Sequence, residues 1–106
     1  MNGSIIPAWL FDNRKLVLAD FWAPWCGPCL AFMPVLEDIA LSMSDVVRLE
    51  KVNIDEHLDF AVKMGVLGVP ALYLFWRGVV VWQSPGPLSR FILEQTIQQH
   101  SHLCVS

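Results

Sequence analysis

Seven consecutive residues, Leu16-Val17-Leu18-Ala19-Asp20-Phe21-Trp22, are apolar except for one carboxylate. A run of that length and character fits a strand covered on both faces, as in a parallel sheet. Ala23-Pro24-Trp25 breaks it, and a helical period starts at Cys26, with Leu36, Ile39, Ala40 and Met43 spaced for one face. Pro28 falls near the helix start, where a missing N–H costs little. Pro34 falls inside the helix and predicts a kink.

Beyond Met43 the alternation continues. Val46 to Ile54 reads as a second strand, ended by Asp55. His57 to Met64 reads as a short helix with Gly65 at its C′ position. Ala71-Leu72-Tyr73-Leu74-Phe75-Trp76 is another apolar strand; Arg77-Gly78 turns the chain, and Val79 to Trp82 returns antiparallel. Ser84-Pro85-Gly86-Pro87 reads as a loop, and Arg90 to Gln99 as a last helix capped by Ser89. This order implies an α/β fold: a βαβ unit followed by a hairpin and a helix, with a central mixed sheet flanked by helices on both faces.

The 106 residues fit a single domain, 1–106. With 55% hydrophobic and 16% charged residues the chain is not disordered. Its net charge of −3 and the lack of a Lys/Arg stripe argue against nucleic acid as a partner. No apolar run reaches the roughly 18–20 residues that a membrane span needs. Met1 to Pro7 lacks the pattern of a secretory signal, so the expected location is cytoplasmic; an exported form stays open as an alternative.

Three cysteines are too few and too unevenly placed for a disulfide scaffold. Cys26 and Cys29 stand three apart at a helix start, where unpaired N–H groups stabilise a thiolate. Cys26 is therefore expected to be the more exposed and more acidic thiol, the one that attacks a disulfide. Cys29, one turn later, is placed to resolve the mixed disulfide, and Pro28 fixes the turn between them. The competing reading is half a zinc site, for which only His100, His102 and Cys104 stand to complete the four ligands. Met33, Met43 and Met64 read as core filler, and His57 as a surface residue at a helix start.

The string Asp20-Phe21-Trp22-Ala23-Pro24-Trp25-Cys26-Gly27-Pro28-Cys29 resembles the thioredoxin family, whose active-site motif is Trp-Cys-Gly-Pro-Cys. The resemblance extends over about Leu16 to Gln99. Lys51-Val52-Asn53-Ile54-Asp55 is similar to the family's central strand, and Gly68-Val69-Pro70 to its cis-proline loop. Gly78 and Gly86 match the hairpin and groove glycines. The resemblance implies a thioredoxin fold with four to five strands. It also implies a protein disulfide reductase that maintains redox balance and needs no bound cofactor beyond the Cys26–Cys29 redox-active disulfide.

The catalytic residues it implies are Cys26, Cys29, the buried Asp20 that moves a proton for Cys29, and Lys51 as partner of Asp20. Trp25, Gly27, Pro28, Gly68, Val69, Pro70 and Gly86 would meet the substrate. Protein disulfides are the implied substrates, and a reductase-type flavoprotein the implied electron donor. The expected state is a monomer, with a weak dimer as the alternative. The residues alone agree on Asp20, since a carboxylate in an apolar strand is desolvated and its pKa rises.

Two positions depart from the family pattern. Leu30 stands where Lys or Arg is usual, and Ala71 where Thr is common. The strand Val79 to Trp82 is more apolar than an edge strand normally is. The stretch before Leu16 is short, with Ile5-Ile6 as a remnant strand and Ala8 to Phe11 as a helical turn. An exported reductase or isomerase for a dedicated client, and a non-enzymatic binding module, are the alternative functions.

Overall fold

The computed structural model describes residues 6–104. A 3-10 turn (Ala8–Phe11) leads into β1 (Leu16–Trp22), α1 (Gly27–Ser42), β2 (Val47–Asn53) and α2 (Leu58–Lys63). The hairpin β3 (Ala71–Trp76) and β4 (Val79–Pro85) follows, then α3 (Arg90–His100) and a 3-10 turn (Ser101–Cys104). The strands form one mixed sheet in the order β2-β1-β3-β4. β1 runs parallel to β2 and antiparallel to β3, and β3 runs antiparallel to β4.

This order explains why β1 carries no alternating pattern. It is an inner strand with side chains buried on both faces. Leu16 and Leu18 point into a core shared with Phe32, Leu36 and Ile39 of α1 and Leu93 and Ile97 of α3. Val17, Ala19 and Phe21 point the opposite way, towards Leu10 and the α2 residues Phe60 and Ala61. Because strand side chains alternate, Asp20 shares the face of Leu16 and Leu18, the face that α1 covers. The register sets Asp20 opposite Lys51 of β2 and Leu72 of β3.

Several sequence expectations shift at their edges. The described residues form four strands: Ile5 lies outside the described residues, and Ile6 is in a bend, not a strand. β2 is one residue shorter at each end than Val46 to Ile54. β4 continues to Pro85, so the expected loop at Ser84 begins later; Ala71 pairs with Pro85 and extends the ladder. α1 continues as one helix through Pro34. Pro34 offers no N–H to the Leu30 carbonyl, but both residues are exposed, so water can satisfy that oxygen.

The turn chemistry agrees with the sequence. Gly65 directly follows the α2 C-cap, Met64. Arg77 and Gly78 both have positive φ, 50° and 86°, as a tight two-residue hairpin requires. A Cβ at Gly78 would also sit 2.9 Å from the Phe11 ring. β4 is the edge strand at this side, with Val79 and Val80 exposed and Val81 and Trp82 packed on the core.

Candidate active site

The carboxyl ends of β1 and β2 open towards the start of α1, and both cysteines stand there. Cys26 is the N-cap of α1 and Gly27 its first residue. The two cysteines are joined by a disulfide, with Cα atoms 5.3 Å apart. Cys26 Sγ accepts the Cys29 backbone N–H at 3.2 Å, so the sulfur takes the place of the usual capping oxygen. That hydrogen bond and the helix dipole both favour negative charge on Cys26 when the pair is reduced. Cys26 is 6% exposed and Cys29 fully buried. Of the two, Cys26 is the more accessible.

The loop before β3 closes one side of the pair. Cys26 Sγ lies 3.8 Å from the Val69 carbonyl oxygen. The Val69–Pro70 peptide bond is cis, and the Gly86 N–H donates to the Pro70 carbonyl at 3.0 Å. A Cβ at Gly86 would stand 3.4 Å from both Phe32 and Pro70, so glycine lets the β4 end approach the loop. A groove of about 440 Å³ runs along Leu67, Gly68, Val69 and Pro70 to Gly86. A concavity of similar size, about 460 Å³, is lined by Trp9, Lys51 and His57; it touches neither cysteine.

Trp25 is 67% exposed beside Cys26, an unusual position for so large an apolar ring. Its indole N–H donates to Asp55 Oδ2 at 3.2 Å. Asp55, just past β2, therefore orients the ring. Sequence reading treats Asp55 only as a strand end: 30 residues separate it from Trp25, and no local spacing links the two. Gly27, Pro28 and Gly68 are exposed around the same opening.

Asp20 is 1% exposed, and neither carboxylate oxygen has a hydrogen-bond partner among the described residues. Desolvation pushes its pKa up to about 7, against the opposing pull of the Lys51 charge. Lys51 does not hydrogen-bond to Asp20. Its ammonium is paired with Glu37 Oε2 of α1 at 2.5 Å. The expected Asp20–Lys51 partnership is thus one of register and field, not of direct contact.

The histidines and the third cysteine stand elsewhere. His100 and His102 place their Nδ1 atoms on the carbonyls of Thr96 and Gln99. Cys104 is half-buried and points at the Val46 carbonyl. Among the described residues, no group of three or more His, Cys, Asp or Glu side chains is arranged to hold a metal ion. No helix among them is long and apolar enough to cross a membrane.

The thioredoxin family model matches residues 8–99. The chain belongs to the thioredoxin family. It is 41% identical over 88 residues to a thioredoxin of Bacillus subtilis, covering 83% of this chain and 85% of the relative. It is 42% identical over 91 residues to thioredoxin 1 of Synechococcus elongatus, covering 86% and 85%. The solved structure of a mutant thioredoxin from Halobacterium salinarum superposes with a TM-score of 0.77 at 38% identity, covering 83% of this chain and 76% of that one. Family membership and the bonded Cys26–Cys29 pair make this thioredoxin-family chain a thiol–disulfide reductase acting on protein disulfides.

Proposed function

We propose that Cys26 is the attacking group and Cys29 the resolving one, with Asp20 carrying the proton between the two steps. In the reduced protein the Cys26 thiolate attacks one sulfur of a client disulfide. A mixed disulfide forms, and the other client sulfur leaves as a thiolate. Cys29 then gives its proton to the Asp20 carboxylate and attacks Cys26 Sγ. The Cys26–Cys29 bond forms, the second client thiolate departs, and two electrons have passed to the client. A carboxyl group with a pKa near 7 gains and loses a proton readily at neutral pH, which suits that task.

The observation that carries this reading is the asymmetry of the pair, with Cys26 capping the helix and slightly exposed while Cys29 is fully buried beneath it. In this reading Trp25, Gly27, Pro28, Gly68, Val69, Pro70 and Gly86 form the client-binding surface. An extended client segment would lie along the Val69–Pro70 loop and exchange backbone hydrogen bonds with it, as in strand addition. Lys51 acts on Asp20 through its field. The protein works as a cytoplasmic monomer, uses no bound cofactor, and is re-reduced by a flavoprotein reductase.

An insulin-reduction assay tests the assignment. Cys26→Ser abolishes turnover, while Cys29→Ser accumulates a mixed disulfide between Cys26 and the client. Trapping of that adduct through Cys29 in the Cys26→Ser protein would reverse the two roles. A redox titration is expected to give the potential of a reductant; a value near that of a disulfide oxidant would sink the reductase direction.

A further inference from the structure

Two adjacent carboxylates on α1 have separate cationic partners. Asp38 is engaged by Arg90 of α3, which also binds Glu94. Glu37 takes Lys51 of β2. Lys51 is the residue that the parallel register places opposite Asp20, on the same face of the sheet. Its ammonium could thus turn inward to the buried carboxylate or outward to Glu37. It is found on Glu37, in a half-exposed pair whose side chains are 39% and 51% accessible.

We propose that Glu37 is a positioning residue for the redox reaction: it holds the Lys51 ammonium at the rim of the α1–β2 interface and so leaves the Asp20 carboxylate without a direct counter-ion.

The surroundings of Asp20 give this competition its leverage. β3 contributes the apolar Leu72 opposite Asp20. α3 turns Leu93 and Ile97 into the same core, with its Arg90 already engaged at the surface. α1 contributes Cys29, bonded to Cys26, and Glu37. Asp55, just past the end of β2, is taken up with the Trp25 indole at the surface. Lys51 is therefore the cation whose position the buried carboxylate senses, in line with its being the sole charge that acts on Asp20 among the described residues. An ion pair this exposed is weak, so Glu37 tunes the position of Lys51 rather than locking it.

The proposal rests on the reading of Asp20 as proton carrier, but it can be measured separately. The side-chain carboxyl of Asp20 is titrated by carbon NMR in the oxidised protein, and the pH dependence of mixed-disulfide resolution is followed in parallel. In Glu37→Gln the freed ammonium turns inward, and the Asp20 midpoint falls by about half a pH unit. In Lys51→Met the midpoint rises. The double variant titrates like Lys51→Met alone, because Glu37 acts through the lysine. An unmoved midpoint in Glu37→Gln overturns the proposal. So does a fall of equal size in the Lys51→Met background, which would mean that Glu37 acts directly through space. If the midpoint falls while the pH profile of resolution stays in place, the coupling through Glu37 stands and the proton-carrier role of Asp20 fails.

Discussion

Asp20 is a carboxyl group buried in an apolar strand, with no hydrogen bond among the described residues to hold its charge. Ionising it inside the protein costs more than ionising it in the unfolded chain, so its pKa moves from 3.8 to about 7. The sign of the linkage follows. Between these two values the folded state holds a proton that the unfolded state has lost, so stability falls as pH rises through that window. Above about pH 7 the full penalty remains. Asp20→Asn is therefore expected to raise the unfolding free energy at pH 8, by at most about 4 kcal/mol on the conversion of pKa to free energy. The same variant changes stability little at pH 4. Chemical denaturation at the two pH values checks this; equal gains at both would show that packing, not charge, is responsible. The carboxylate was legible in the sequence as a misfit in an apolar strand. The pairing of Lys51 with Glu37 was not, because it depends on where α1 lies over β2.

At the scale of elements, α1 does two jobs. Its first turn presents the disulfide, and its buried face, with Phe32, Leu36 and Ile39, fastens the helix to the sheet. Leu36 is fully buried in that face. Leu36→Ala removes packed methyl groups and leaves a cavity, which costs about 3 kcal/mol of stability. Because Leu36 lies beyond the first turn of the helix that carries the cysteines, the folded variant is expected to keep reducing insulin below its melting temperature. Urea unfolding and the insulin assay, run at the same temperature, separate the two effects. The periodicity of Leu36, Ile39, Ala40 and Met43 marked this helix correctly. Pro34 sits inside this helix, as expected, and its orphaned Leu30 carbonyl is open to water because both residues face solvent.

Across the whole molecule, the polarity of β1 separates two thiol environments. The redox pair follows the carboxyl end of β1, whereas Cys104 packs near its amino end, where Leu16 bonds to the Val46 carbonyl that Cys104 also faces. Cys104→Ser is accordingly expected to keep insulin reduction within about twofold of the unaltered chain, in line with substitutions away from the working groups. A larger loss in a steady-state assay would tie the tail thiol to the reaction. The sequence alone determined the alternation of strands and helices, the chemistry of Cys26 and Cys29, and the family, because these rest on local hydrophobic period, on turn residues and on a contiguous ten-residue string. Tertiary structure decided what brings distant residues together: Asp55 on Trp25, Gly86 against Pro70 and Phe32, and Glu37 rather than Asp20 on Lys51. The physical reason is that such contacts depend on the packing of helices over strands far apart in the chain, and no spacing along the chain encodes them.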